Sequence, residues 1–540
     1  MSGRQSATAG AVTQLAAQGL ADAVLTGNPQ VTFWRFVAKA YTNFALESQL
    51  LDFTAGQPYF GAFPKCNLDR IGDLVYWMYA VFDLPGVATF TDSQKNALAT
   101  GENRPFWTNS IGQALIESAN FFIGGQNIDY MKGEFLFIWE ELTGQPGKHL
   151  REMTGNFGGA INTLQAVSAQ PRRLYVPLPF WFTLNSGLAL PLVSLQFHSV
   201  AVSIKIRPLS DLLRFTRAGM VNYSVSTNVF PVFKPWDPSY VGGSVPDQVS
   251  LPASQVDSNQ IQAQNLGGYI EVCYVYLDQR ERSKFADGAF EQLMIEHQET
   301  STQVDQSATG PATGPSGSAS LVPVAGAAVK KNFELNFNHT IIELFWAARL
   351  GSRESYQGTN NTGVRCDFYN DWFNFAGPEL PVYGQQPALY DPVDLIQLRL
   401  NNATRFGDVE GRYFRLVQPW QHHTNIPSVS TQAVVQTNAS NVRTFDSIIN
   451  TAFIYSYSFA LQPEDVQPSG SCNFSRIDNT QLNITLNRHL FYGNSWNGPA
   501  PYPDNAAGND SNSSVTFLVF ATNWNILRFK YGLGGKRFAN

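Results

Sequence analysis

Residues Tyr455–Leu482 read YSYSFALQPEDVQPSGSCNFSRIDNTQL. At both ends of this stretch, large apolar or aromatic residues alternate with small or polar ones. At its start, Tyr455 and Tyr457 alternate with Ser456 and Ser458. At its end a second alternation begins, TQLNITL (residues 480–486), in which apolar and polar residues take turns. A period of two puts successive side chains on opposite faces of a strand, so one face packs on a core and the other faces solvent or a partner. Each of the two alternations therefore predicts a strand of an antiparallel β-sandwich.

The same period appears in the first half of the chain. Residues 200–206 (VAVSIKI) carry their larger apolar side chains at even positions, whereas Leu195 and Phe197 lie at odd positions. A shift of one residue turns every side chain of a strand to the other face, so the sequence predicts a bulge or turn near Ser199.

Helical periodicity is confined to short segments. In Ala286–His297, residues Phe290, Leu293 and Met294 share one helical face with His297, and Glu134–Leu142 is a second candidate. The N-terminal segment places apolar residues at helical spacing as well, at Val12, Leu15, Ala16 and Leu20. Polar residues interrupt this segment too often for a signal peptide or a membrane-spanning helix. We therefore interpret Met1–Leu25 as an amphipathic helix or arm.

Composition narrows the class of protein. Charged residues make up only 14% of the 540 residues and aromatic residues 13%, whereas an average soluble domain has about 25% charged residues. Such a surface is typical of a protein that neighbouring molecules cover. The net charge is −6 and the basic residues are scattered, which argues against direct nucleic-acid binding. Four cysteines lie far apart without metal-ligand spacing, so the sequence predicts no disulfide framework and leaves one pairing open: Cys66, Cys273, Cys366 and Cys472.

One segment differs sharply in composition from the rest. Thr300–Ala327 consists almost entirely of small and polar residues with proline, and it cannot bury enough apolar surface to fold alone. We expect it to be a linker or long loop between two strand-rich halves. The predicted organisation is an N-terminal arm (1–28), a first sandwich (29–299), a linker or long loop (300–330) and a second sandwich (331–540).

Candidate chemistry is weak throughout. The glycine-rich YGLGGKRF at Tyr531–Phe538 lacks the spacing of a phosphate-binding loop and predicts a turn. Adjacent histidines at 422 and 423 would point to opposite faces of a strand and could not chelate one metal there, so an exposed loop is expected. Asp367 and Asp371 lie in an aromatic run with Trp372. Paired carboxylates could serve a glycosidase and aromatic rings could stack on a sugar, which leaves open a carbohydrate-binding or glycan-cleaving sandwich as the alternative function. No catalytic residue, cofactor or metal ligand is predicted.

Asn-x-Ser/Thr sequons are numerous, and loop positions are the better acceptors for N-linked glycans. The candidates in predicted loops are Asn360, Asn402 and Asn509.

Several segments resemble, in the same order, the major capsid protein of the nucleocytoplasmic large DNA viruses. They are NLDRIGDLVYWMYAVFDL (Asn67–Leu84), WTNSIGQALIESANFFIGGQNID with its GGQ turn (Trp107–Asp129), FNHTIIELFW (Phe337–Trp346) and, most specifically, Tyr455–Leu482. The match is poorest near residues 210–265 and 350–450.

This resemblance implies an all-β protein of two tandem eight-stranded jelly rolls with a few short helices and long loops. It implies a non-enzymatic structural protein that forms a homotrimer with a pseudo-hexagonal outline and tiles an icosahedral virion shell. The implied partners are neighbouring capsomers, minor capsid and penton proteins and, through the N-terminal arm, the inner membrane layer. Assembly in the host cytoplasm is expected, without direct contact to nucleic acid.

Overall fold

The computed structural model describes residues 8–30, 32–34, 38–87, 106–148, 150–158, 161–214, 266–305, 329–351, 370–376, 391–427, 429–437, 443–487, 490 and 514–538. The chain divides into two units, Met1–Phe44 and Ala45–Asn540. The first unit contains helices α1 (Thr8–Ala16) and α2 (Leu20–Thr26), so the predicted helical segment is confirmed as two short helices. Within the described ranges, no helix combines the length and apolar character needed to span a membrane.

The first half of the chain forms short and medium strands. Their bounds are β1 (Phe44–Leu51), β2 (Lys65–Asn67), β3 (Leu74–Leu84), β4 (Phe106–Trp107), β5 (Ile116–Ile123), β6 (Gln126–Lys132), β7 (Arg172–Pro177), β8 (Leu190–Pro191), β9 (Val200–Ile206), β10 (Leu213–Arg214) and β11 (Gly267–Leu277). The phase change predicted near Ser199 is confirmed, because residues 195–199 are not in a strand and β9 begins at Val200.

The second half repeats the pattern with longer strands. Their bounds are β12 (Phe290–Asp305), β13 (Val329–Glu334), β14 (Thr340–Leu350), β15 (Val393–Leu400), β16 (Ala403–Glu410), β17 (Val429–Thr437), β18 (Arg443–Thr451), β19 (Tyr455–Ser458), β20 (Cys472–Asn473), β21 (Thr480–Leu486), β22 (Ser514–Lys530) and β23 (Leu533–Lys536). The alternation around residue 482 is confirmed, since every second residue of β21 is buried.

Helices occupy the connections between strands. They are α3 (Ile111–Leu115), α4 (Gly133–Thr143), α5 (Arg151–Thr154), α6 (Ile161–Ser168), α7 (Trp181–Leu184), α8 (Gln279–Asp287) and α9 (Gln418–His422), with 3₁₀ turns at Ser186–Leu188, Leu192–Ser194, Leu209–Asp211 and Phe474–Arg476. A π-helical turn, Tyr413–Val417, leads directly into α9. The predicted helix at Glu134–Leu142 is confirmed as α4.

The two halves share one topology. In the first half the sheets run β1-β11-β3-β7 and β2-β9-β5-β6; in the second they run β12-β22-β14-β19 and β13-β21-β15-β16. When the eight principal strands of each half are numbered along the chain, both halves read 1-8-3-6 and 2-7-4-5. This order is that of a jelly roll, in which two antiparallel four-stranded sheets face each other. The predicted double jelly roll is confirmed.

The segment Phe290–Asp305 corrects two sequence predictions. It is a strand and not a helix, because all sixteen residues pair in register with Ser514–Phe529 of β22. The helix of this region is α8, which ends at Asp287. The predicted linker is also wrong at its start, since Thr300–Asp305 completes β12. As β12 is the first strand of the second jelly roll, residues 306–328 connect two of its strands; they lie outside the described residues.

A two-residue turn connects β5 to β6 at Gly124 and Gly125. Both have positive φ (59° and 82°), which glycine adopts at little cost. A Cβ on Gly124 would lie 2.7 Å from the ring of His198.

We predict that Gly124→Ala lowers the free energy of unfolding by about 1–3 kcal/mol, because it combines backbone strain with this steric overlap. Thermal denaturation checks the prediction, and Gly125→Ala is the control: this residue also has positive φ, but its Cβ would meet no atom within 4 Å. Equal losses for the two variants would show that the contact with His198 is unimportant.

The apolar core is continuous from one jelly roll to the other. Phe135 of α4 lies 6.1 Å from Phe345 of β14 and 5.8 Å from Phe520 of β22, measured between ring centroids. Phe137 of the same helix stacks on Phe373 at 4.5 Å. Helix α4 therefore brings aromatic side chains of the first half into the core of the second.

Candidate functional site: the junction between the two jelly rolls

The centre of the junction is a buried carboxylate that binds two arginines from different halves of the chain. Glu134, in the first turn of α4, is 5% exposed. Its Oε1 lies 2.8 Å from Nη2 of Arg207, which follows β9, and 3.2 Å from Nη1 of Arg349 in β14. Burial by itself would raise the pKa of Glu134, but the two guanidinium groups hold it at about 2. The carboxylate is therefore charged at neutral pH and joins the two jelly rolls.

Trp372 completes this cluster. The guanidinium carbons of Arg207 and Arg349 lie 3.9 and 4.7 Å from its ring centroid, and its Nε1 donates a hydrogen bond to the carbonyl of Asp211 at 2.7 Å. Two cations beside one indole ring are favourable when a shared anion balances their charge. The ring that was considered for stacking on a sugar is thus engaged inside the protein.

The segment 370–376, from the second half, fastens one side of the junction to the first half. Thr108 Oγ1 donates to the carbonyl of Asn370 at 2.6 Å, and Asn370 Nδ2 donates to the carbonyl of Leu213 at 2.7 Å. Arg214 Nη1 lies 3.1 Å from Asp371 Oδ1. Polar main-chain and side-chain groups of each half thereby find their hydrogen-bond and ion-pair partners in the other half.

A second side of the junction joins β6 to β12. Tyr130 Oη donates to Glu299 Oε1 at 2.7 Å, and Lys132 Nζ lies 2.6 Å from the same oxygen. Asp129 accepts from the main-chain N–H of His297 at 3.1 Å and lies 2.9 Å from its ring Nδ1. Strand β12 is paired along its whole length with β22, which is a central strand of its sheet. These contacts therefore connect the first half, through β12, to the centre of the second jelly roll.

A third side joins α4 to the segment that follows α9. The main-chain N–H of Asn425 donates to the carbonyl of Leu142 at 2.9 Å, and its Nδ2 donates to the carbonyl of Glu141 at 2.9 Å. The C-terminal end of α4 thus finds hydrogen-bond donors in the other jelly roll.

A polar cavity of about 300 Å³ opens beside the contact of β6 with β12. Its charged residues are matched with one another: Lys536 Nζ lies 2.6 Å from Glu296 Oε1, and Glu296 Oε2 accepts from Asn525 Nδ2 at 2.9 Å. Across the described residues, no group of three or more His, Cys, Asp or Glu side chains is placed to hold a metal ion. The arrangement is suited to holding two sandwiches together and contains no recognisable reaction centre.

The sequence predictions for individual residues have mixed outcomes. Asp367, Asn360 and Asn509 lie outside the described residues. Asn402 lies in the exposed two-residue turn between β15 and β16, where both Asn401 and Asn402 have positive φ. The predicted glycine-rich C-terminal turn is confirmed between β22 and β23.

The prediction that both histidines lie in an exposed loop is wrong, because His422 is the half-buried last residue of α9 and His423 is buried. Its side chain is 1% exposed, between Glu343 and Glu464. The described cysteines 66, 273 and 472 are free thiols.

Sequence reasoning also missed the central residues of the junction. Glu134, Arg207 and Arg349 belong to no motif, but Arg349 carried a usable signal. Arg349 and Glu343 are the charged residues of the otherwise apolar strand TIIELFWAARL. A charge in a fully apolar strand needs a buried partner.

Known proteins give a consistent answer. A family model described as the major capsid protein N-terminus matches residues 32–257, and one described as the large eukaryotic DNA virus major capsid protein matches residues 281–447 and 441–535. The chain is 30% identical, over 536 residues, to the major capsid protein of Pyramimonas orientalis virus, covering 98% of this chain and all of that protein. The chain belongs to this family of viral major capsid proteins.

Other members agree with this assignment. The major capsid protein of Paramecium bursaria Chlorella virus 1 is 29% identical over 98% of this chain and the whole of that protein. A quasi-atomic model of the PBCV-1 virus capsid matches with a TM-score of 0.59 and 25% identity, covering 94% of this chain and all of that chain. The Faustovirus major capsid protein, 11% identical with a TM-score of 0.57, shares the fold over 95% of this chain and 94% of its own.

Membership in the capsid family decides the broad function. The protein is a structural component of the virion and not an enzyme, as the sequence resemblance implied. The alternative of a carbohydrate-binding or glycan-cleaving protein gains no support, because Trp372 lies in the junction with its ring beside two arginines.

Proposed function

We propose that this capsid protein trimerises into capsomers with a pseudo-hexagonal outline and that these tile an icosahedral shell. The main support is the repeated strand order of the two jelly rolls, held together by the buried junction. A chain that presents two similar sandwiches as one unit gives six similar sandwiches in a trimer. The function is then geometric: a rigid junction fixes the angle between neighbouring sandwiches in the shell.

An exposed apolar stripe supports close packing between copies. Tyr413, Leu416, Val417 and Trp420 follow one another at helical spacing along the π-helical turn and α9, and all four are exposed, Trp420 by 72%. A contiguous apolar surface of this kind marks interaction sites, and aromatic side chains are enriched at the centre of interfaces. We assign the stripe to contact with a neighbouring copy of the chain, which is the most abundant neighbour of any major shell protein.

The remaining partners are proposals that follow from the family resemblance. The N-terminal arm, predicted as residues 1–28 and containing α1 and α2, would face minor capsid proteins and the inner membrane layer. Penton proteins would occupy the five-fold vertices, and assembly would take place in the host cytoplasm. Asn402, exposed in its turn, remains a candidate for glycosylation.

We also propose a revised division between the two jelly rolls. The first ends with α8, and the second begins at Phe290, which places the boundary at Gly288 and Ala289. The start of the large-virus family match at residue 281 supports this position.

We predict that the purified protein sediments as a species of three times the 59.7 kDa of one chain, with a hexagonal outline in electron micrographs. Trp420→Glu should shift the population toward monomer, because it places a charge in an apolar contact. Trp420→Phe is the matched control and should remain trimeric. Sedimentation velocity at micromolar concentration measures both, and a monomeric wild-type protein would refute the proposal.

A further inference from the structure

His423 lies between two carboxyl groups in the second jelly roll. Its Nε2 is 3.4 Å from Glu343 Oε2 of β14, and its Nδ1 is 3.0 Å from Glu464 Oε1. The side chains of Glu343 and His423 are 0% and 1% exposed. A histidine held in this way by two acids is placed to keep a proton that an exposed histidine would release.

The three residues belong to three different segments. Glu343 is in a central strand, His423 directly follows α9, and Glu464 lies in the loop 459–470. Glu464 also accepts hydrogen bonds from the main-chain N–H of Thr424 at 2.9 Å and from the Thr424 hydroxyl. The ring of His422 lies 3.1 Å, at Nδ1, from the carbonyl of Leu461.

Among the residues that the structure describes, the electrostatic partners of His423 are Glu343 and Glu464. From β22, Thr522 places an uncharged hydroxyl beside Glu343, and from β14 the ring of Phe345 lies 5.9 Å from that of His423. Helix α4 faces the same segment through the main-chain carbonyls of Glu141 and Leu142, which bind Asn425. The charges that face His423 are therefore those of Glu343 and Glu464.

We propose that His423, Glu343 and Glu464 form a protonation-dependent clasp that holds the segment 423–427 and the loop 459–470 against β14 and loosens as the pH rises toward and above neutrality. Loosening removes the two hydrogen bonds from Asn425 to α4, so it weakens one side of the junction. No covalent change is involved. The clasp gives a shell subunit a local response to proton concentration that leaves the sheets intact.

The titration of the two buried groups agrees with this direction. Burial raises the pKa of Glu343 to about 7 from its ordinary 4.5. Burial opposes the charge on His423, but Glu343 and Glu464 raise its pKa above 6.5 overall. The closed clasp thus binds more protons than the open one. The proton on Glu343 stabilises the closed state fully below pH 4.5, and this stabilisation is lost as the pH rises to about 7. The proton on His423 stabilises the closed state fully below pH 6.5, and this stabilisation is lost at higher pH.

Hydrogen exchange of the full-length assembled protein tests the clasp. Peptides covering 419–427 and 459–470 are followed at pH 5.5 and 6.5, with rates corrected for the intrinsic pH dependence of amide exchange. We expect local opening to increase by up to about tenfold over this pH unit, because one proton is released. Equal corrected opening at the two pH values would overturn the proposal.

Variants separate the clasp from other sources of pH dependence. Glu343→Gln cannot ionise and should show no change in local opening between pH 5.5 and 6.5. Glu464→Gln removes the anion that retains the histidine proton and should already be more open than wild type at pH 5.5. Glu291→Gln, which alters an exposed ion pair with Arg528 far along β12, is the control and should respond like wild type. A Glu343→Gln protein that keeps the full tenfold response would also refute the clasp.

Discussion

Glu134→Ala is expected to lower the free energy of unfolding by about 3–5 kcal/mol, the largest effect of any single substitution considered. The variant leaves Arg207 and Arg349 buried, close to each other and without their shared carboxylate. Removing one member of a buried ion pair costs this much because the remaining charge loses both its hydration and its partner. Chemical denaturation at matched subunit concentration measures the change, since association adds to apparent stability.

Two further variants give this result a clear meaning. Glu117→Ala removes an ion pair of similar length with Lys205, but both side chains are well exposed, and we expect a change below about 1 kcal/mol. Glu134→Gln keeps the size and one hydrogen-bond acceptor, so a loss close to that of alanine would assign the effect to charge. A loss for Glu134→Ala no larger than that for Glu117→Ala would contradict the role given to the junction.

Wild-type stability is expected to fall as the pH rises from about 4.5 to 7. Burial raises the pKa of both Glu140 and Glu141 of α4 to about 7. The charge of Glu141 adds a smaller increase to the pKa of Glu140, and the charge of Arg151 lowers the pKa of Glu141 by a smaller amount. The unfolded chain releases these protons near pH 4.5, whereas the folded chain keeps them until about pH 7. The folded state therefore loses stability across this window, by roughly 3 kcal/mol for one such carboxyl.

Denaturation midpoints at pH 5, 6, 7 and 8 provide the measurement. Glu140→Gln should flatten the pH dependence, because the amide remains neutral in both states. Glu291→Gln is the control: the pKa of Glu291 is lowered, chiefly by its hydrogen bond with Arg528, so its contribution changes below pH 4.5 and not in this window. An unchanged slope in Glu140→Gln would show that this carboxyl is already ionised at pH 5. The variant also tests the clasp independently, since local opening around His423 should keep its response.

The parts of the fold that follow from local periodicity were predictable. Strands β9 and β21 can be recognised in the sequence because their larger apolar residues fall on alternate positions. Strand β12 does not, because it contacts protein on both sides: Met294, Ile295 and Glu296 are consecutive and all buried. Its apolar residues therefore fall at spacings that imitate a helix. Residues 300–305 are polar except for Val304 and still form a strand, since β22 supplies a complete partner for them.

The junction was less accessible to sequence reasoning for a different reason. Its members come from distant parts of the chain, and no local pattern links Glu134 to Arg349 or Thr108 to Asn370. His423 was assigned to an exposed loop because adjacent histidines on a strand would point to opposite faces and could not chelate one metal. Its burial depends on Glu343 and Glu464, which only the folded topology brings together. A charged residue inside an apolar strand is the one local sign that such partners exist.

The distance along the chain between Glu134 and Arg349, 215 residues, has a consequence for synthesis. A ribosome adds about 5–20 residues per second, so roughly 10–40 s pass between the two. During that interval Glu134 can pair with Arg207 alone, and the aromatic side chains of α4 have no partner from the second half. We therefore expect the nascent first half to expose apolar surface during this interval, where chaperones could bind it. We expect the rate of translation and the supply of chaperones to affect the yield of assembly-competent subunits, which synthesis at different temperatures would measure.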